Sequence, residues 1–306
     1  MTKVAAPEQR SGRNIQIGVA AYLVWGLLTI YWKQLDAFNP FELVAWRMVC
    51  AAVVMAGVVT VRGRWPVLQR AFRDRATVLR LMAASALLTI NWGCYVWLVS
   101  NGRVIETALG YFIAPLATMA MGVLIFHEKP TIGHRLAFGC AAIAVVILAV
   151  TSGSPPYISL TIAASWSTYG LIKRKVVLGA IEGLAGETLV LVVPATIALV
   201  LFSGQADSVI NTAGTRDLLL VLGTGVATAV PLLLFARAAK SIPFTLLGPL
   251  NLLVPVINFG LGWAIYSESM PANRIIGFAF VWVALLVVTI ESLATHRRGL
   301  PARTVT

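Results

Sequence analysis

Residues 105–126 read IETALGYFIAPLATMAMGVLIF, twenty-two positions in which only Glu106, near the leading edge, carries a charge. As an α-helix rising 1.5 Å per residue the stretch is about 33 Å long, close to the ~30 Å hydrocarbon thickness of a bilayer. Pro115 lies in its middle, Glu128 follows thirteen residues later, and Pro130 comes two residues after that. The same order returns further on: Pro255, then Glu268 thirteen residues later, then Pro271. Leu109-Gly110 precedes the first proline and Leu247-Gly248 the second, and an apolar span containing Gly139 or Gly277 follows each glutamate. Tyr31-Trp32-Lys33 is echoed by Tyr169-x-x-x-Lys173. The pattern predicts an internal duplication.

The rest of the chain is built to the same composition. Of 306 residues, 58% are hydrophobic and 12% charged, whereas a soluble domain carries about 25% charged residues. Ten apolar stretches of spanning length are expected at 15–33, 41–61, 79–100, 105–126, 133–151, 157–172, 181–203, 216–238, 242–266 and 273–293. Ten spans use about 200 residues, so no connection can hold a soluble domain. The first run is too long for a signal-peptide core and is read as a retained span. Asn39, Pro40 and Glu42 mark a helix start, Ser154-Pro155-Pro156 punctuates two spans, and Trp65, Tyr157 and Tyr266 suit an interfacial belt. The fold expected is an all-α polytopic membrane protein, its ten transmembrane helices forming two five-helix repeats at 15–151 and 152–293, with tails at 1–14 and 294–306. Five is odd, so the second copy enters the membrane inverted. Glu128 then falls on the inner side and Glu268 on the outer.

A net charge of +12 could suggest nucleic acid, but its distribution follows the membrane. With alternating loops and a cytoplasmic N-terminus, nineteen of the twenty-four basic residues fall on the inner side. The outer side holds Lys33, Arg103, Arg216 and Arg274, and Arg47 lies within a span. This asymmetry predicts both termini in the cytoplasm, with Arg62 to Arg80 near anionic headgroups.

Inventory weighs against catalysis. His127, His134 and His296 all fall in a polar loop or tail, leaving no intramembrane histidine to orient a nucleophile or ligate zinc. Glu182 and Glu187 are the closest intramembrane acidic pair, five residues apart, and no clustered carboxylates suit Mg²⁺. Cys50, Cys94 and Cys140 lie in apolar stretches without paired spacing. Gly223-Thr224-Gly225 lacks a preceding strand and is expected at a helix–helix contact. No metal and no cofactor are expected.

Ionisable groups inside spans are costly and point to function. Arg47 either snorkels to the outer headgroups or faces the bundle interior, where its planar fork suits a carboxylate or phosphate on a substrate. Glu187 is either a structural partner of Lys173 or Lys175 or a proton-coupling carboxylate. Glu42 is read as a cap that could pair with Lys33, and Glu106 as a partner of Arg103. Asn91, Trp92 and Tyr95 cluster on the third span, Tyr22, Trp25 and Tyr31 on the first, and Trp166, Thr168 and Tyr169 on the sixth. Asn251 and Asn258 share a face of the ninth. Together these groups describe a cavity for an amphipathic organic solute. Pro115 and Pro255 are candidate hinges, and Pro194, Pro231 and Pro249 also remove backbone donors at depth.

This set of residues resembles the RarD permeases, in the EamA branch of the drug/metabolite transporter superfamily. The likeness runs from Ile15 to about Leu293. It is carried by Tyr31-Trp32-Lys33 with Glu42 and Arg47, by Asn91-Trp92 with Tyr95, and by Leu109-Gly110-Tyr111-Phe112-Ile113 with Pro115-Leu116 and Glu128. Tyr169-Gly170 with Arg174-Lys175, Glu187-Thr188 with Pro194, and Pro231-Leu232 with Phe235 continue it. The chain departs at Thr29, where relatives often have Pro, and at Ser165-Trp166-Ser167-Thr168. The resemblance implies ten helices in a bacterial inner membrane and outward movement of small organic metabolites or drugs; the family name is tied to chloramphenicol sensitivity.

The function expected is therefore non-enzymatic: secondary transport of a small organic solute by alternating access, a mechanism suited to inverted repeats. Arg47, Asn91, Trp92, Tyr95, Tyr111, Tyr169 and Trp25 are the expected substrate-binding residues, and Glu187 the proton-coupling one. Expected partners are the solute and the lipid bilayer, with no nucleic acid, the chain acting as a monomer or homodimer. The rival readings are an intramembrane enzyme acting on a lipid-soluble substrate and a non-transporting membrane scaffold.

Overall fold

The computed structural model describes residues 7–127, 130–151, 156–239 and 252–297, and their regular structure is helical throughout. In chain order the helices are α1 (Pro7–Lys33), α2 (Pro40–Val61), α3 (Trp65–Arg73), α4 (Arg75–Ser100), α5 (Val104–Phe126), α6 (Ile132–Thr151), α7 (Tyr157–Arg174), α8 (Ala180–Ser203), α9 (Val209–Thr212), α10 (Thr215–Ala239), α11 (Leu253–Gly260) and α12 (Ala272–Arg297). A π-helical turn, Leu261–Ile265, continues α11. Glu128, Leu247-Gly248, Pro249, Asn251 and Ser154-Pro155 lie outside the described residues.

Six of these helices are long and apolar enough to cross a membrane unaided, within α2, α4, α5, α8, α10 and α12. Shorter apolar stretches belong to α6 and to α11 with its π turn. The polarity of α7 has a packing cause. It lies against α4 and α5, so Ser159, Ser165 and Ser167 are buried against protein.

Helix packing displays the duplication. Exchanging α1, α2, α4, α5 and α6 for α7, α8, α10, α11 and α12 maps the main contacts onto one another. Thus α1 on α10 answers α7 on α4, α1 on α11 answers α7 on α5, and α2 on α10 answers α8 on α4. The pairs α2–α8, α5–α11 and α6–α12 map onto themselves. This is the two-fold relationship of two inverted five-helix repeats, and the repeats interleave. Small residues make the interleaving possible. A Cβ on Gly110 of α5 would stand 2.9 Å from both Ile162 Cβ and the Ser159 carbonyl of α7. One on Gly225 of α10 would run into the Cys50 carbonyl of α2, so the Gly223-Thr224-Gly225 run is a helix contact as expected.

Several ends follow local chemistry. Asn39 caps α2, its side chain accepting from Phe41 N at 2.9 Å, with Pro40 opening the helix. Asp74 caps α4 through Thr77 N at 3.0 Å, which moves that start from the expected 79 to Arg75. Helix α3 was not anticipated. It is amphipathic, with Leu68 and Ala71 buried and basic residues in its last turn. Pro255, read as a candidate hinge, sits at a helix start. It falls in the first turn of α11, where its missing N–H removes no intrahelical bond. The irregularity of this span is the π turn that follows. Pro115 lies inside α5 as read, beside Ala114, whose carbonyl accepts from Ser167 Oγ of α7 at 2.9 Å.

Candidate functional site

Where the two repeats meet, seven helices open a cavity with about 710 Å³ of space free of protein atoms, part of it continuous with the exterior. Helical spacing aims the wall. Trp25, Leu28 and Trp32 are i, i+3 and i+7 on α1, and Leu88, Trp92 and Tyr95 are i, i+4 and i+7 on α4. Arg47 comes from α2, Tyr111 from α5, Trp166 and Tyr169 from α7, Leu232 from α10 and Val254 from α11. The rings contact one another edge to face, Tyr95–Tyr111 at 6.1 Å, Tyr111–Trp166 at 6.4 Å and Trp25–Trp166 at 6.4 Å. Such packing gives rigid ring pairs.

Arg47 does not snorkel. Its side chain is buried, the guanidinium carbon lying 3.9 Å from the Trp92 ring centroid and 5.2 Å from that of Trp32. Nε donates to Thr228 Oγ1 at 2.9 Å, and among the described residues no carboxylate forms an ion pair with Arg47. Stacking on two indoles explains how the charge is held at depth.

Each tyrosine hydroxyl is tied back into protein. Thr29 donates to Asn258 Oδ1 at 2.7 Å, and a hydroxyl has one proton, so Tyr95 donates to Thr29 at 2.7 Å. Asn258 Nδ2 passes on to Thr107 at 3.2 Å, joining α4, α1, α11 and α5 in one buried chain. Tyr111 donates to Asn91 Oδ1 at 3.1 Å, and Asn91 Nδ2 is taken by the Ile162 carbonyl at 3.1 Å and Ser165 Oγ at 3.2 Å. Tyr169 donates to Glu187 Oε2 at 3.1 Å, while Lys173 forms an ion pair with Glu187 Oε1.

Residues 13–150 match the EamA-like transporter family. Protein RarD of Streptomyces exfoliatus is 39% identical over 295 residues, 96% of this chain and 93% of that protein. The uncharacterized transporter YojE of Bacillus subtilis (strain 168) is 34% identical over 280 residues, 90% of this chain and 93% of its own. The chain belongs to the RarD group of the EamA-like transporter family. It is a multi-pass, transporter-type membrane permease. A crystal structure of a protein only 18% identical superposes with a TM-score of 0.62 over 92% of this chain and 98% of that one, a likeness of fold alone.

Of the residues singled out in the permease sequence, Trp25, Arg47, Trp92, Tyr95, Tyr111, Trp166 and Tyr169 meet on one wall. Asn91 stands behind that wall, holding Tyr111, and Glu187 stands one hydrogen bond behind Tyr169. Neither Pro115 nor Pro255 reaches it. Trp32, Leu28, Leu88, Leu232 and Val254 complete the lining. The seven-residue step from Trp25 to Trp32, one helix face, was the signal that could have added Trp32.

Loops at the end assigned to the outside join elements of different repeats. The pairing of Glu42 with Lys33 is not made. Lys33 instead pairs with Asp36 at 2.8 Å, and buried Glu42 accepts from Val209 N, the first amide of α9, at 3.0 and 3.1 Å. Glu106 meets Arg103 as expected, at 2.6 Å, with Arg274 at 3.6 Å. Glu268 accepts from the first two amides of α5, Val104 N and Ile105 N, a favourable place for a carboxylate. Burial nonetheless pushes the Glu268 carboxyl above the usual glutamate range, against those amides and Arg274, which pull it down. At the opposite end, the hydroxyl and amide of Thr77 hold Asp74 below the usual aspartate range.

Proposed function

We propose that this permease is a secondary transporter, moving a small organic solute outward through the central cavity by alternating access and using Glu187 as its proton-responsive group. The observation carrying this reading is the position of the cavity. Its wall is drawn from α1, α2, α4 and α5 of one repeat and α7, α10 and α11 of the other. A site at the interface of inverted repeats is exposed to alternate sides when one repeat rocks against the other. Inside the wall, Tyr169 touches both the cavity and Glu187, so displacement of the ring by solute bears on the carboxylate. A proton on Glu187 cancels its attraction for Lys173 and weakens its hold on Tyr169. The charge asymmetry of the loops supports placing both termini in the cytoplasm, and the bacterial relatives support a bacterial inner (plasma) membrane. Transport without chemistry is the reading for the cavity itself, whose wall, among the described residues, holds no serine, threonine, cysteine, lysine or histidine.

The test is flux into proteoliposomes under an imposed pH gradient. Wild type is expected to accumulate solute against its gradient. Glu187→Gln is expected to exchange solute for solute but to lose uphill accumulation. Equal uphill accumulation by both would remove Glu187 from the mechanism. Product formation without flux would replace the transporter with an enzyme.

A further inference from the structure

Among the described residues, the uncommitted hydrogen-bond donors of the cavity belong to Arg47 and Trp32. The hydroxyl protons of Tyr95, Tyr111 and Tyr169 already go to Thr29, Asn91 and Glu187, so these residues offer the cavity their rings. Arg47 spends Nε on Thr228, and among the described residues its two terminal nitrogens make no hydrogen bond. Trp32, fully buried on the same wall, has an indole N–H with no partner among the described residues. Buried donors left unpaired are costly and uncommon, and here one lies beside an arginine without a counter-charge. Both side chains line the same cavity, with the guanidinium carbon of Arg47 5.2 Å from the Trp32 ring centroid.

Charge narrows the ligand further. Among the described residues no carboxylate lines the cavity, and the nearby Glu187 is engaged by Lys173. A cationic solute would meet aromatic faces but also an unneutralised arginine. A neutral one would leave that arginine unpaired in a closed site. An oxyanion answers both donors, and a carboxylate matches the planar fork. The remaining wall is aromatic, its ring pairs about 6 Å apart in edge-to-face contact and suited to another ring rather than a flexible alkyl chain.

We propose that the transported solute is an aromatic organic acid carried as its anion, with its carboxylate between Arg47 and Trp32 and its ring against Trp25, Tyr111 and Trp166. The proposal rests on the permease reading and gives it a substrate class.

The experiment is calorimetric titration of the purified full-length protein in detergent with four probes: 1-naphthoate, 1-naphthamide, 1-naphthylmethylammonium and cyclohexanecarboxylate. Naphthoate is expected to bind about tenfold or more tighter than the amide, the factor of one charge-assisted hydrogen bond. The ammonium and the saturated acid should both bind more weakly than naphthoate. Trp32→Phe, which keeps an aromatic ring and loses the N–H, should weaken naphthoate roughly fivefold without changing the amide. Arg47→Lys, checked for a native elution profile, should weaken naphthoate by about tenfold because a point charge replaces the fork. Equal or tighter binding of the amide, the ammonium or the saturated acid would overturn the proposal, as would absence of binding by all four. Flux of a neutral or cationic solute, with no anion preference in titration, would sink the substrate class and spare the permease. Naphthoate binding without flux of any solute would do the reverse.

Discussion

Tyr169 turns its ring to the central cavity and donates its hydroxyl proton to Glu187 at 3.1 Å. One side chain thereby touches both the solute's space and the carboxylate paired with Lys173. If solute binding favours one protonation state of Glu187, protonation must favour or oppose solute binding by the same factor. No long-range relay is needed, because the coupling distance is one tyrosine.

The two halves of the ion pair are unequal. The Glu187 side chain is wholly buried, while that of Lys173 remains 29% exposed. Removing the lysine strands a charge inside the protein, whereas removing the glutamate leaves an amine that can reach water. Lys173→Gln is therefore expected to lower the melting temperature more than Glu187→Gln. Breaking a fully buried pair costs about 3–5 kcal/mol, and the exposure of Lys173 places the loss at or below the lower end. Thermal unfolding in detergent checks the order, and a larger loss for Glu187→Gln would contradict it.

Thr29 joins Tyr95 to Asn258 at the centre of a buried chain that crosses the repeats. Thr29→Val keeps the shape and removes both bonds, leaving the Asn258 acceptor without this donor. The expected cost is roughly 1–3 kcal/mol, with Thr29→Ser close to wild type. A valine variant as stable as the serine variant would show that the chain contributes no stability.

Glycine at the crossing of α10 and α2 gives a sharper contrast. A Cβ on Gly225 meets the backbone of Cys50, which cannot rotate aside, whereas one on Gly57 meets nothing within 4 Å. Gly225→Ala should destabilise by about 1–3 kcal/mol through overpacking, and Gly57→Ala should be neutral or mildly stabilising. Matched melting curves for the pair decide it.

Glu268 supplies a pH prediction. Its carboxyl holds a proton more tightly in the folded protein than in the unfolded chain. The associated stability is therefore full below the ordinary glutamate value and declines as pH rises through the raised value. Measured from about pH 4 to about pH 8, the melting temperature of wild type relative to Glu268→Gln should fall. A difference that grows with pH would mean that capping of α5 outweighs desolvation.

The spans were legible because a membrane demands long apolar runs, and Pro115-to-Glu128 with Pro255-to-Glu268 exposed the duplication. Helix α3 was hidden by its length, nine residues in a basic connection too short to span a membrane. The π turn after α11 was not readable from local spacing, and Gly262 within it packs against Ile105 of the other repeat. At the site, residue type and helical face pointed to most of the wall. Sequence could not tell a residue on that wall from one behind it, so Asn91 was expected beside Tyr111 and proved to support it. The Glu42 contact with Val209 was out of reach for a related reason, because 167 residues separate the partners and no local spacing records them.

Leu232 lines the cavity from α10 without sharing its hydrogen bonds, which makes it a suitable reporter. With Cys50, Cys94 and Cys140 replaced and Leu232→Cys introduced, a membrane-impermeant maleimide can be applied to inside-out and to right-side-out vesicles. The account predicts labelling from both sides, slowed from both by a bound solute. Labelling from one side only, whatever solute or pH gradient is present, would contradict alternating access through this cavity.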